Sequence, residues 1–162
     1  MLSVTLPRTV PNHPLEPLTI AEIVQAVNVV RKDRQQGFRF VTVALNEPSK
    51  DVVRDHQPGK AVAREAFLIL LDNATGRGYE AVVDLTAGKI ATFTALPEGT
   101  QPSIMLDEFV ECEEAVKRSP EFRAALKKRG VEDVSLVMVD PWSAGVYGDE
   151  GTDNSGRLSR AL

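Results

Sequence analysis

Four strand-like segments that follow one another along the chain constrain its fold most strongly. They are FRFVTVAL (38–45), EAFLILLD (65–72), YEAVVDL (79–85) and KIATFTAL (89–96). Short links between successive strands are typical of an antiparallel meander, and Gly88 in the last link can supply the positive φ that a tight turn needs. The first segment is apolar enough to predict a strand that is buried on both faces.

A helix is predicted before these strands. Thr19 and Glu22 have the spacing of a capping box, and Gly37 marks the end of the helical segment. Between them, apolar residues recur at helical spacing and form one stripe: Ile20, Ile23, Val24, Val27 and Val30. One amphipathic helix that covers an antiparallel sheet predicts a small α+β unit.

The composition changes at PEGTQP (97–102), beyond which the pattern becomes helical. Ser103 is the predicted cap of a helix whose apolar face carries Met105, Phe109, Cys112 and Val116. A second helix is predicted to begin with Ser119 as N-cap and Pro120 at its first position, and to end at Gly130.

The last segments predict an incomplete second unit. VSLVMVD (134–140) is strand-like, GDEGTDNSG (148–156) is polar linker material, and RLSRAL (157–162) has the pattern of an apolar element that has just begun. A helix pair and one strand cannot close a sheet, because an isolated strand leaves its backbone groups unpaired. We therefore expect the second unit to be truncated and the chain to be a fragment.

Charge and composition narrow the classes of function. The formal net charge of -4 argues against a nucleic-acid partner and against a membrane-surface role, since both need clustered positive charge. No apolar run approaches the length of about 20 residues that a membrane-spanning helix needs. The first residues lack the basic and apolar regions of a signal peptide, so a cytoplasmic location is the expectation.

Most candidate catalytic residues have a simpler structural explanation. Cys112 lies on the apolar face of its helix, which predicts a buried thiol. His13 and His56 lie in loop-like segments and are expected to be solvated, since two scattered histidines do not form a metal site. The acidic residues of the first C-terminal helix have helical spacing and matching cations, which predicts a solvated face: Asp107, Glu108, Glu111, Glu113 and Glu114. No catalytic residue and no metal ligand is predicted.

Two aromatic residues keep two interpretations open. Phe109 fits a core position on the apolar face of its helix. Trp142, the only tryptophan, lies in the predicted turn of VDPWSAGVYG (139–148). A tryptophan at a strand end often covers the edge of a core, but rigid aromatic side chains also line apolar ligand channels.

Three stretches together resemble the amino-terminal region of copper-containing amine oxidases: HPLEPLT (13–19), VTVALNEPSK (41–50) and the run from QPSIMLDEF to DPWSAG (101–145). The resemblance implies an α+β fold with two small cystatin-like units, each an antiparallel sheet covered by helix, of which the second is truncated. It implies an N-terminal tail over 1–12, an N2-like domain over 13–97 and part of an N3-like domain over 98–162.

The family oxidises primary amines to aldehydes and releases ammonia and hydrogen peroxide. The resemblance implies copper and a topaquinone in the intact enzyme, a homodimer, and a catalytic domain that this chain lacks. The family holds copper with three histidines and makes its quinone from a tyrosine that follows an asparagine. This chain has two histidines, and Tyr79 and Tyr147 follow glycine and valine, so no cofactor is expected within it.

The resemblance assigns a role to the two aromatic residues. Phe109 and Trp142 match the positions from which the N3 domain lines the route of the amine to the quinone. The leading hypothesis is therefore an amino-terminal part of a primary amine oxidase, with a structural and substrate-channel role. The alternative is a free-standing cystatin-like binding module without enzyme activity. The Gln-x-Val-x-Gly loop of cystatin-type protease inhibitors is absent.

Overall fold

The computed structural model describes residues 11–34, 37–144 and 157–162. The chain divides into two compact units, Met1–Pro102 and Ser103–Leu162. Both combine helices with antiparallel strands, so the predicted α+β class is confirmed. The predicted linker (148–156) and all but the last two residues of the predicted tail (1–12) lie outside the described residues. The predicted domain bounds stay a prediction.

The first unit contains a four-stranded antiparallel sheet. Its strands follow the order β1-β2-β3-β4 and comprise β1 Phe38–Asn46, β2 Glu65–Asp72, β3 Gly78–Asp84 and β4 Lys89–Ala95. The predicted meander is therefore confirmed, as is the positive φ of Gly88, which is 63°. The prediction that the first strand is buried on both faces is wrong. Thr42 and Ala44 are exposed, because the helix described next covers a single face of the sheet.

Helix α1 (Ile20–Arg34) packs across all four strands. The core between them consists of Ala26, Val30, Ala66, Leu68, Leu70, Ala81, Val83 and Leu85. The predicted apolar stripe was therefore placed partly on the wrong side of the helix, because Ile20 and Val24 are 58% and 52% exposed. Ala26, which was not in the predicted stripe, is fully buried, and its short side chain allows the helix backbone to approach the sheet closely.

A short helix between β1 and β2 was not predicted. Helix α2 (Lys50–Arg54) begins after Ser49, whose hydroxyl accepts a hydrogen bond from the backbone N–H of Val52 at 3.5 Å. It spans five residues, which is too short for a hydrophobic period to identify it.

The second unit contains helices α3 (Leu106–Arg118) and α4 (Pro120–Lys128), which contact each other. Ser119 caps α4 as predicted, and its hydroxyl accepts a hydrogen bond from the N–H of Phe122 at 3.3 Å. The predicted cap of α3 is wrong. The helix begins two residues later than Ser103 would allow, with Met105 in the N-cap position.

The predicted strand at 134–140 is also wrong. Val134–Leu136 forms a single turn of 3₁₀ helix, because the Asp133 carboxylate accepts a hydrogen bond from the N–H of Ser135 at 2.9 Å and bends the chain. The strand β5 begins only at Pro141 and covers Pro141–Ser143. It pairs antiparallel with β6 (Ser159–Ala161), so the RLSRAL segment does start a regular element.

In the part of the chain that the structure describes, every helix is too short or too polar to cross a lipid bilayer. The cytoplasmic location inferred from the sequence stays a prediction.

Candidate functional site

Trp142 lies on β5, not in a turn. Its indole Nε1–H donates a hydrogen bond to Oδ2 of Asp140 at 2.9 Å, and the residue directly across the strand pair is Arg160. The side chain is 60% exposed, so it does not cap the core of its unit. The hydrogen bond fixes the direction of the ring while leaving most of its surface open to a contact.

Phe109 lies on α3, which packs against both β5 and β6. Its side chain is 37% exposed, whereas Met105, Cys112 and Val116 on the predicted apolar face are half-buried. Cys112 is a free thiol that is half-buried, whereas a buried thiol was predicted. Phe109 and Trp142 thus lie on elements that pack together, but neither ring stacks on another aromatic ring among the described residues.

An ion pair between Glu108 and Arg157 joins α3 to the segment that leads into β6. Arg157 Nε donates to Oε1 of Glu108 at 2.5 Å, and its Nη2 donates to Oε2 at 2.7 Å and to the backbone oxygen of Ser103 at 2.8 Å. The carboxylate also accepts a hydrogen bond from the N–H of Met105 at 2.8 Å. Both side chains are more than four-fifths buried, at 17% and 18% exposure.

The sequence analysis missed this pair. Glu108 was assigned to a solvated acidic face, which is correct for its neighbours Asp107, Glu111 and Glu114. A glutamate at the third position of a helix normally indicates a capping box when serine or threonine precedes it by three residues. Here that residue is Met105, whose thioether makes no cap hydrogen bond, so the pattern was not recognised.

The first unit has a comparable buried pair between Glu22 and Arg64. Arg64 Nε donates to Oε1 of Glu22 at 2.6 Å, and Thr19 donates to Oε2 through both its backbone N–H and its hydroxyl. Burial alone would raise the pKa of the Glu22 carboxyl, but the hydrogen bonds from Arg64 and Thr19 outweigh it and lower that pKa. The carboxylate is therefore held in its charged form.

The two histidines are closer in space than their sequence positions indicated. Their rings form a T-shaped pair with centroids 5.4 Å apart, and Nε2 of His56 lies 2.9 Å from the backbone oxygen of Asn12. His13 is exposed as predicted, whereas His56 is half-buried. Across the described ranges, no three His, Cys, Asp or Glu side chains converge on a point where they could hold one metal ion.

An open cleft of about 800 Å³ lies along α1 in the first unit. Three of its polar lining residues are already engaged. Gln25 donates to the backbone oxygen of Leu85 at 2.6 Å, Glu22 pairs with Arg64, and the hydroxyl of Thr19 donates to Glu22. The remaining polar side chains, Asn28 and Lys32, lie on the solvent side of the helix and do not form a convergent binding group.

Family models match most of the chain. Residues 19–92 match the AGAO-like N2 domain, and residues 107–162 match the N3 domain of copper amine oxidase. A primary amine oxidase from Arthrobacter sp. (strain P1) is 49% identical over 154 residues, which cover 93% of this chain and 23% of that protein. The peroxisomal N-methylputrescine oxidase 1 of Nicotiana tabacum is 34% identical over 187 residues, with the same two coverages.

A solved structure shares the fold. The copper-containing benzylamine oxidase from Hansenula polymorpha has a TM-score of 0.65 and 20% identity, and the match covers 83% of this chain and 22% of that one. The chain therefore spans less than a quarter of the length of these relatives.

Proposed function

This chain belongs to the copper-containing amine oxidase family, within which it comprises N2 and N3 domain sequence, and from that premise we propose that it serves as the N2–N3 part of a primary amine oxidase. Its role is structural and substrate-guiding. In the proposed reaction a primary amine is converted to an aldehyde, with release of ammonia and hydrogen peroxide. The chemistry itself takes place in a catalytic domain, within a homodimer.

The exposure of Trp142 carries the proposal. The large aromatic side chain is 60% exposed, so most of its apolar surface is available for contact with a substrate or another domain. Its hydrogen bond to Asp140 holds that surface in one orientation. A rigid aromatic group contributes contact area to a channel wall at a low cost in conformational entropy. Phe109, on the helix that packs against β5, extends the same proposal to a second aromatic residue.

Copper and topaquinone are assigned to the rest of the enzyme. The described residues do not fit a copper ion, since the only histidine pair is made of His13 and His56 and no third ligand joins them. We therefore derive no catalytic step through either group from this chain.

Trp142→Ala in an intact amine oxidase that carries these residues tests the channel role. We expect kcat/KM for bulky aromatic amines to change relative to that for methylamine, while the copper content stays the same. Leu136→Ala is the matched control, since Leu136 is an apolar residue of the same unit with 81% exposure. Equal effects of Trp142→Ala on large and small amines would refute the channel role.

The alternative function is a free-standing cystatin-like binding module. One observation favours it, because the first unit has a complete four-stranded sheet and its own core. The second unit argues against a free-standing module, because it exposes large apolar side chains that indicate a surface covered by another protein segment. These are Leu106, Val110, Leu136, Met138 and Trp142. A monomeric chain that melts in one cooperative transition and binds no hydrophobic dye would support the module and contradict the oxidase proposal.

A further inference from the structure

The two units repeat one arrangement of a glutamate and an arginine. In each unit the glutamate is the third residue of the first helix and accepts a hydrogen bond from the N–H of the residue three positions before it. These bonds are 2.8 Å long in both cases, from Thr19 to Glu22 and from Met105 to Glu108. The glutamate then pairs with an arginine that lies far along the chain, and the side chain of this arginine is 8% exposed in Arg64 and 17% exposed in Arg157.

The match extends to the backbone contacts of the arginine. Nη2 of Arg64 donates to the carbonyl oxygen of Pro17 at 3.1 Å, five residues before Glu22. Nη2 of Arg157 donates to the carbonyl oxygen of Ser103 at 2.8 Å, again five residues before its glutamate. In both units the arginine thus joins the first turn of the helix to the segment that leads into that helix.

Each arginine also stands at the start of a strand. Arg64 immediately precedes β2, and Arg157 lies two residues before β6. Both strands pair antiparallel with the strand before them, β2 with β1 and β6 with β5. The arrangement therefore ties the start of a helix to the start of the second strand of a hairpin.

The ion pair contributes differently to the position of the strand in the two units. In the first unit a continuous apolar core already holds β2 against α1. Among the described residues of the second unit only Val139 and Pro141 are buried, so apolar packing contributes little to the position of β6 there. A charge-assisted, bidentate pair joins α3 to the segment that leads into β6, and pairs of this geometry are among the stronger polar contacts in proteins.

We propose that Glu108 and Arg157 are positioning residues for Trp142. They hold the segment that enters β6 against the first turn of α3, and β6 holds β5 through its ladder. Two backbone bonds continue that ladder beyond the strands, from Asp140 N–H to the Leu162 oxygen at 3.1 Å and from Leu162 N–H to the Asp140 oxygen at 3.0 Å. Asp140 in turn fixes the Trp142 indole. The channel role of Trp142 rests on the proposed function, whereas the positioning of its side chain does not.

Hydrogen exchange on the 162-residue chain tests the proposal. In Arg157→Gln, we expect the amide protons of Asp140 and Leu162 to exchange on the order of tenfold faster than in the wild type, because the hairpin opens more often. Acrylamide should quench the fluorescence of Trp142, the only tryptophan, more strongly. Arg157→Lys keeps the charge but loses the bidentate geometry, so its exchange rates and its quenching should lie between those of the wild type and of Arg157→Gln.

Arg118→Gln is the matched control. It makes the same substitution at an exposed pair with Glu114 on α3, with 69% and 63% exposure, and should leave the exchange of Asp140 and Leu162 unchanged. Unchanged exchange at these two amides in Arg157→Gln would overturn the proposal. So would equal acceleration throughout α3 and α4, since the pair would then be a general requirement for the fold of the unit.

Kinetics separate this inference from the channel role. In the intact oxidase, Arg157→Gln should change the preference between bulky and small amines in the same direction as Trp142→Ala, with Arg157→Lys restoring part of it. Faster exchange in Arg157→Gln together with no effect of Trp142→Ala on amine preference would refute the channel and leave the positioning of β5 intact.

Discussion

Replacing Arg64 with methionine gives the sharpest test of how the first unit is held together. The side chains of Arg64 and Glu22 are 8% and 16% exposed, so the substitution leaves a carboxylate out of water without its cation. Breaking one side of a buried pair costs about 3 to 5 kcal/mol. Thr19 still donates two hydrogen bonds to Glu22, and methionine refills most of the volume, so we expect the low end, about 3 kcal/mol of unfolding free energy.

The double variant Glu22→Gln with Arg64→Met should be more stable than the single variant. It carries no buried charge, and the glutamine oxygen can still accept the hydrogen bond from the Thr19 N–H. What remains lost is the contact of Arg64 with the carbonyl oxygens of Glu16 and Pro17, which we value at about 1 kcal/mol. Arg64 Nη1 is buried without a hydrogen-bond partner among the described residues, which reduces the net value of the original pair further.

Urea titration followed by amide NMR measures these changes in unfolding free energy for the first structural unit separately. The intensities of Leu68, Leu70 and Val83 report on the first unit, because all three are fully buried there. Arg54→Met is the control, since Arg54 and its partner Asp51 are 69% and 75% exposed, and it should cost less than about 0.5 kcal/mol. A cost for Arg64→Met no larger than this control, or a double variant less stable than the single one, would refute the reasoning.

Two further predictions concern the same unit. Glu22 has a lowered pKa in the folded state, so its contribution is complete above the pKa of the unfolded chain and is lost as the pH falls through the folded pKa. The urea midpoint should therefore drop below about pH 4, with a shallower drop in Glu22→Gln, and an identical pH dependence of the two proteins would contradict this. Gly78→Ala would place a Cβ 2.6 Å from Leu96 Cδ1 and 3.3 Å from the Pro102 ring, and should cost about 1 to 2 kcal/mol by thermal unfolding. Gly37→Ala, with nothing within 4 Å, should be nearly neutral, and equal melting temperatures of the two variants would show that Leu96 moves aside freely.

The first unit could be predicted well because its signals are local and agree with one another. β2 matches the predicted segment residue for residue, since EAFLILLD contains a short, continuous apolar run and is followed directly by the turn-forming residues NATGRG. The capping box of Thr19 and Glu22 placed the start of α1 correctly. The burial of α1 was less predictable, because its apolar residues, of the three types Ile, Val and Ala, are spread around much of the helix. Of these only Ala26 and Val30 are fully buried against the sheet.

The second unit was predicted less well because long-range pairing decides its structure. The segment 134–140 has the composition of a strand, yet one hydrogen bond from Ser135 to the Asp133 carboxylate starts a 3₁₀ turn. β5 is defined by its pairing with β6, which lies more than ten residues further along the chain. A pairing over that distance leaves no hydrophobic pattern in the local sequence. The placement of Phe109 on α3 follows from helical spacing, whereas the strand position of Trp142 does not.

The same reasoning explains why the arginines were missed. A buried arginine has no sequence period, since one charged residue beside a strand has the same local pattern whether it faces water or a carboxylate. In the structure, low exposure distinguishes Arg64 and Arg157 from Arg54 and Arg118, at 8% and 17% against 69% for both controls. The comparison of the units adds the five-residue offset from glutamate to carbonyl oxygen that the two buried pairs share. A unit with few buried apolar groups must fix its hairpin by directional polar contacts. The prediction for Asp140 and Leu162 therefore follows from the small apolar core of the second unit, and not from the resemblance of the chain to any relative.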